Sequence, residues 1–281
     1  MNYNLIIQSK SVATQSLKQL AKLSGASEIQ AITQQAFRLS GANPARQAEV
    51  ELLCEQSGLD YAFVPDARKM SDFGLVVMDM DSTLITIECI DEIADMIGVK
   101  PEVAHITEAA MRGEIDFAES LTRRVALLKG LDESALQRVY DERLQLSPGA
   151  EKMLAALQSH GIKTLLVSGG FTFFTERLKL RLGLDAAIAN TLEIVDGKLT
   201  GRVLGAILDA EGKATQLRRL RDQMGLAAHQ VVAMGDGAND LKMMAAAGVS
   251  IAYHAKPVVR AQATHALNFV GLDGAIALLR S

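Results

Sequence analysis

Tryptophan is absent from this chain, and aromatic residues make up only 4% of its 281 positions. Its core must therefore be built mainly from Leu, Ile, Val, Ala and Met, which the 49% hydrophobic content supplies in ordinary globular proportion. Cysteine is scarce as well. Cys54 and Cys89 lack metal-ligand spacing, and a chain of this length buries a sizeable core without disulfide staples. Two buried free thiols in a reducing cytosol are the expectation. No uncharged stretch reaches the roughly 18–20 apolar residues that span a bilayer. The start, Met1-Asn2-Tyr3-Asn4-Leu5, has neither a positive n-region nor a long apolar h-region, so a cytoplasmic protein with no signal peptide is expected. An excess of basic residues is missing too. The net charge of -4 argues against a nucleic-acid partner, whose phosphates call for a basic footprint.

What is present is an alternation of strand and helix patterns in two unequal units. Residues 1–70 read as a small N-terminal α+β domain. Tyr3 to Gln8, Ile29 to Leu39 and Tyr61 to Val64 are its three strand candidates. Helices are predicted over Ser11 to Lys22 and from Pro44, well placed in a first helical turn, to Cys54. The polar, aperiodic run Pro65 to Asp72 is a linker. Gly74 to Met78 is a continuous apolar strand of the kind buried on both faces of a parallel sheet. From Ile85 to about Leu146 the character is helical, punctuated by Pro101, Gly113 and Gly130. An insertion of about 60 residues is far longer than the usual strand-to-helix loop, so residues 85–146 should form a helical cap subdomain.

The sheet pattern resumes at Pro148. Strands are predicted at Lys163–Val167, Ala187–Leu192, Lys198–Leu204, Gln230–Met234, Val249–Tyr253 and Ala266–Phe269, with Asp196-Gly197 a hairpin turn. Helices are predicted at Gly149–His160, Phe171–Leu182, Lys213–Met224, Asn239–Ala247 and Leu272–Leu279. The fold class expected is α/β: a doubly wound parallel-sheet (Rossmann-like) core from residues 73–84 and 147–281, the helical cap inserted after its first strand, and the small N-terminal domain, for which an ACT-like fold is one candidate.

Ligands of such sheets bind outside the carboxyl ends of the strands. Asp79-Met80-Asp81-Ser82-Thr83 follows the first core strand, Ser168-Gly169-Gly170 the second, and Gly235-Asp236-Gly237-Ala238-Asn239-Asp240 a later one, while Lys213 opens a helix between the last two. Clustered carboxylates repel and call for a cation, and oxygen-only ligands suit Mg²⁺. The five histidines are scattered, which disfavours zinc. A serine and free N–H groups ahead of a helix suit an anion, and a lysine can hold phosphate oxygens.

Together these residues resemble the haloacid-dehalogenase-like phosphohydrolases, whose pattern is Asp-x-Asp-x-Thr, a Ser or Thr, a later Lys, and Gly-Asp-x-x-Asn-Asp. The likeness is closest to the branch of that family that acts on phosphoserine, through Glu88-Cys89-Ile90-Asp91-Glu92, Met111, Phe117, Ser120 to Val125, Asp196 to Gly201 and Ala255-Lys256-Pro257, and it spans about Gly74 to the C-terminus. The resemblance implies hydrolysis of O-phospho-L-serine to L-serine and phosphate, the last step of serine biosynthesis, through an aspartyl-phosphate. It implies Asp79 as nucleophile and Asp81 as general acid, then base. Asp79, the Asp81 main-chain carbonyl and Asp236 would hold Mg²⁺, supported by Asp240. Ser168, Gly169, Lys213 and Asn239 would hold phosphate. Glu88 would meet the substrate ammonium and Arg124 its carboxylate, with Met111 and Phe117 lining the closed cap. A homodimer through the N-terminal domain is a further expectation. Two alternatives stay open: a relative acting on, or transferring phosphate from, another small phosphate ester, and a non-catalytic amino-acid binder, against which the intact set of acids argues.

Overall fold

The computed structural model describes residues 2–280, which form two sheets. The N-terminal unit runs β1 (Tyr3–Gln8), α1 (Thr14–Ser24), β2 (Glu28–Ala31), β3 (Ala36–Ser40), α2 (Gln47–Ser57) and β4 (Asp60–Pro65). Its antiparallel strands lie in the order β2-β3-β1-β4, the split βαββαβ arrangement. Strand alternation lets this sheet serve two cores. Leu5 and Ile7 pack with Leu17, Leu20, Val50 and Cys54 under the helices, while Ile6, Ala62 and Val64 face the main core. At the start of β4 the buried Asp60 carboxylate accepts from the N–H groups of Asn268, Phe269 and Val270 at 2.7, 2.9 and 3.2 Å, tying this unit to the rest of the chain.

The single strand expected over Ile29–Leu39 is corrected: it is a hairpin, so the unit has four strands instead of three. Ile32 and Thr33 both donate their N–H to Ala36 O, at 2.8 and 3.0 Å, and the Thr33 hydroxyl accepts from Gln35 N at 3.1 Å. A threonine hydroxyl organises a turn for which Gly or Asn is the usual signal.

The second sheet begins with β5 (Leu75–Met78), whose Leu75 and Val77 face one hydrophobic layer and Val76 and Met78 the other. The helices α3 (Cys89–Met96), α4 (Lys100–Met111), α5 (Phe117–Ala126) and α6 (Ser134–Glu142) form the inserted cap. After it come α7 (Ala150–Ser159), β6 (Lys163–Phe171), α8 (Thr172–Leu182), the hairpin β7 (Ala186–Val195) and β8 (Lys198–Leu204), and α9 (Ala210–Gln223). The chain finishes with β9 (Val231–Gly235), α10 (Leu241–Ala245), β10 (Val249–Tyr253), α11 (Pro257–Arg260), β11 (His265–Leu267) and α12 (Ala275–Leu278). The strand order is β11-β10-β9-β5-β6-β7-β8, with β8 antiparallel to β7 and the other pairs parallel. This is the expected doubly wound core with its cap after the first strand.

Two local readings are corrected. The second core strand does not end at Val167. Strand β6 continues to Phe171, and its pairing with β7 jumps from Val167 opposite Ile188 to Phe171 opposite Asn190, leaving the serine and glycines as an irregular stretch inside the strand. Lys213 does not open α9. Asp209 caps that helix, accepting from Gly212 N at 2.8 Å, and Lys213 sits in its first turn. The insert leaves and re-enters the core side by side: Ile85 bridges Leu146, Thr86 N donates to Gln145 O at 3.0 Å, and Ser147 N donates to Leu84 O at 3.0 Å. Cys54 and Cys89 are buried and unpaired. Among the described residues no helix is long and apolar enough to cross a membrane.

Candidate active site

The strand order reverses between β5 and β9, because the chain builds outward from β5 to β6 and β7 and then returns to its other side. Polar residues that follow these two strands therefore meet in one crevice. Asp79 follows β5, and Asp236 and Asp240 follow β9. Carboxylate oxygens of all three lie within 4.8 Å of one another. Lys213 reaches in from α9 and donates from Nζ to Asp79 Oδ1 and to Asp240 Oδ1, both at 2.8 Å. Its side chain is 1% exposed and that of Asp240 0%, so this is a buried charge network and not a surface pair. Asp240 also accepts from Gly237 N at 3.1 Å, and Asp236 from the Thr83 hydroxyl at 3.2 Å.

The electrostatics follow from that crowding. Burial pushes the Asp79 carboxyl well up and the charge of Asp240 adds to it, against the pull of Lys213. Asp236 is pushed up to about 6 by burial and again by Asp240. Burial alone would push the Lys213 ammonium down, but Asp240 and Asp79 outweigh it and hold the group above the usual lysine range. Negative charge is in excess, and every available oxygen is hard. The donor set fits a small divalent oxygen-seeking cation such as Mg²⁺.

Beyond Asp79 the backbone makes one wide turn, Met80–Leu84, closed by Ile85 N–H donating to Met80 O at 3.0 Å. Asp81 within it has extended geometry, and Ser82 is left-handed at φ 54°. A non-glycine residue in that region is strained by roughly 1–3 kcal/mol, and such strain concentrates at functional sites. The turn swings Asp81 back over the strand ends, where its Oδ1 accepts from Cys89 N at 3.1 Å. Burial pushes Asp81 up to about 6, with hydrogen bonds from Cys89 opposing the rise. The strained Ser82 donates its hydroxyl to Glu88 Oε1 at 2.6 Å. Glu88 reaches solvent yet has protein packed around its carboxyl; that desolvation, with the charge of Asp81, pushes it up to about 7.

The cap closes the other side. A Cβ on Gly169 would lie 2.8 Å from the Phe117 ring and one on Gly170 would lie 2.7 Å from Asp81 Oδ2, so only glycine lets these groups approach the strand end so closely. Ser168 is fully buried, and its Oγ accepts from Gly170 N at 2.9 Å. Arg124 of α5 is half-buried and donates to Ser120 O at 3.4 Å. The carboxylates of Asp91, Glu88 and Asp81 lie within its electrostatic reach. Asn239 is half-buried between Asp236 and Asp240. Met111 is not brought in by any contact described: it ends α4 and is 66% exposed.

Two residues at the site were not anticipated. Cys89 bonds Asp81 from the first residue of α3, and Asn190 bonds the Gly169 carbonyl at 2.8 Å. A polar amide inside the apolar run Ala186 to Leu192 was the available signal for the second, since Asn is depleted from strands.

Comparisons with known proteins find relatives of both the sequence and the fold. A model for haloacid dehalogenase-like hydrolases matches residues 76–245, and a domain of unknown function matches residues 5–50. The chain is 55% identical over 217 residues to a phosphoserine phosphatase of Polaromonas sp., an alignment covering 75% of this chain and 92% of that protein. A HAD family hydrolase from Salmonella enterica serovar Typhi superimposes with a TM-score of 0.90 at 34% identity, over 99% of this chain and 98% of its own. A substrate-bound phosphoserine phosphatase superimposes with a TM-score of 0.70 at 38% identity, over 74% of this chain and 99% of its own.

Proposed function

This chain belongs to the haloacid dehalogenase-like hydrolases, and from that premise we propose that it is a Mg²⁺-dependent phosphatase hydrolysing O-phospho-L-serine to L-serine and phosphate, the last step of serine biosynthesis, through an aspartyl-phosphate on Asp79. The observation that carries the reading is Asp79 at the end of β5, sharing the buried Lys213 with Asp240, beneath a cap that brings Glu88 and Arg124 over the same crevice.

In the first half-reaction an Asp79 oxygen forms a bond to phosphorus while the bond from phosphorus to the serine oxygen breaks. Asp81, held near 6 by burial, donates its proton to that leaving oxygen. In the second half-reaction Asp81 accepts a proton from the water that attacks the acyl phosphate, and Asp79 is released. Ser168, the Gly169 N–H, Lys213 and Asn239 hold the phosphoryl oxygens. Residues Asp79, Asp236 and the Asp81 main-chain carbonyl would hold Mg²⁺, with Asp240 supporting them. When bound, the ion supplies positive charge against the repulsion between a carboxylate and a phosphate dianion. Glu88 takes the substrate ammonium, and Arg124 takes its carboxylate with a planar fork. Phe117 shields the transfer from water, and Met111 joins it when the cap tightens.

The test is phosphate release from a panel of phosphomonoesters, with and without chelator. Phosphoserine should be the preferred ester, chelator should abolish turnover, and added Mg²⁺ should restore it. Equal turnover of unrelated small esters would move the assignment to a relative with another substrate. We place the enzyme in the cytoplasm, where two unpaired thiols persist. A homodimer through the N-terminal unit is supported by the edge strand β2, exposed at each of its four residues. Sedimentation gives its mass directly.

A further inference from the structure

One buried side chain joins the two loops to which phosphate binding is assigned above. Asn190 of β7 is 2% exposed. Its Nδ2 donates to Gly169 O at 2.8 Å, and its Oδ1 accepts from Leu208 N at 2.7 Å. The orientation of the amide is unambiguous, because one partner is a carbonyl and the other an N–H. Leu208 immediately precedes Asp209, the cap of α9, whose first turn carries Lys213. Gly169 follows Ser168 in the stretch where β6 leaves its regular pairing with β7. The side chain thus bonds a carbonyl in the stretch where the regular register is interrupted.

Peptide geometry carries the effect one step further. In a trans peptide the carbonyl and the following N–H point in opposite directions. With Gly169 O turned toward Asn190, the N–H of Gly170 must point the other way. It does: it donates to Ser168 Oγ at 2.9 Å. A serine hydroxyl has one proton to donate and lone pairs to accept with. Once its oxygen accepts from Gly170, its proton is left to be directed into the crevice.

We propose that Asn190 is a positioning residue for phosphoryl binding, acting through the Gly169–Gly170 peptide to hold Ser168 Oγ as an acceptor and its proton toward the substrate, while its other end fixes the approach of the Lys213 helix. The inference rests on the proposed phosphatase reading. Among side chains of this size only Asn offers both a donor and an acceptor in a planar group. Ionised aspartate can still accept from Leu208 N but cannot donate to Gly169 O, so Asn190→Asp, assayed at alkaline pH where the carboxyl is charged, severs the serine side of the link alone.

The experiment is a double-mutant cycle on the full chain with Mg²⁺, using Asn190→Asp, Ser168→Ala and their combination. It is read on kcat and KM for phosphoserine and for an aryl phosphate, and on inhibition by inorganic phosphate. Asn190→Asp should lower kcat/KM for both esters, and weaken phosphate inhibition, by about tenfold or more, the worth of one hydrogen bond to a charged group. On the Ser168→Ala background the same change should cost less than about twofold, because the group it acts through is already gone. Equal factors on both backgrounds would reduce Asn190 to general scaffolding and overturn the proposal, as would a folded Asn190→Asp within about twofold of wild type. If Asn190→Asp does not fold, Asn190→Ser enters the cycle instead; it loses both ends of the link, so its cost should still shrink on the Ser168→Ala background, and an unshrunken factor overturns the proposal. Failure of the phosphatase reading shows separately, in the wild type: turnover of the aryl phosphate without phosphoserine removes the substrate assignment and leaves the cycle readable on the aryl ester.

Discussion

On the strand side of the crevice Asp79, Ser168, Lys213 and Asp240 are all buried, and each has a protein partner: two carboxylates share one ammonium, and the serine accepts from Gly170. On the cap side Glu88 reaches solvent, Arg124 is half-buried and Met111 is largely exposed. On the proposed reading the strand side is preorganised, with dipoles and charges already held by protein partners before phosphate arrives. The cap side has room to adapt to the part of the substrate that distinguishes one ester from another. Damage to the first should therefore fall on turnover with every ester, and damage to the second on affinity for one.

The most severe break of that contrast is Asp79→Asn, which keeps shape and removes the proposed nucleophile. Phosphate release should fall by at least about 10⁴-fold for phosphoserine and aryl phosphate alike, in a steady-state assay. Lys213→Met comes next. It leaves two buried carboxylates without their shared cation, so it should lower kcat by roughly 10²–10³-fold and lower unfolding stability by about 3–5 kcal/mol in denaturant titration. Arg124→Ala sharpens the contrast from the other side: KM for phosphoserine should rise by about 10–100-fold while the aryl phosphate changes little, as befits a lost charge-assisted fork. Equal effects on both esters would remove Arg124 from substrate selection.

The last effect is on stability and touches neither end. His265 of β11 is buried, with the Arg68 guanidinium 3.3 Å from its Nε2, and burial with that charge lowers it from 6.5 to about 3. Above pH 6.5 both folded and unfolded chains carry a neutral imidazole here. Below it the unfolded chain binds a proton that the folded chain refuses, so stability falls as pH drops, by up to about 1.4 kcal/mol per pH unit down to the folded value. Denaturant titrations between pH 7 and 4 should show that slope, and His265→Gln should flatten it.

Much of this was legible in the residues themselves. β10 has the predicted bounds, Val249–Tyr253, because an apolar run buried on both faces leaves little freedom. The acids after β5 and β9 were visible because strand ends in a doubly wound sheet can only converge. The hairpin β2–β3 was hidden because Thr33 shapes its turn without the usual glycine signal. The strand was expected to stop before Ser168-Gly169-Gly170 because glycines that admit a neighbouring ring or carboxylate are written in the same letters as glycines that bend a chain. Asn190 bonds across two strands and Cys89 across the turn after β5; the polar amide in an apolar run hinted that the first had a partner, but no local pattern says which.

The seam at Ile85 and Leu146 makes the molecule modular. The chain departs for the cap and comes back at neighbouring points, so the sheet is insensitive to how long the excursion is or what it contains. A different insert grafted at those two positions would bring its own selectivity to an unchanged reaction. One scaffold can in this way diversify its substrates without disturbing the atoms that do the bond breaking.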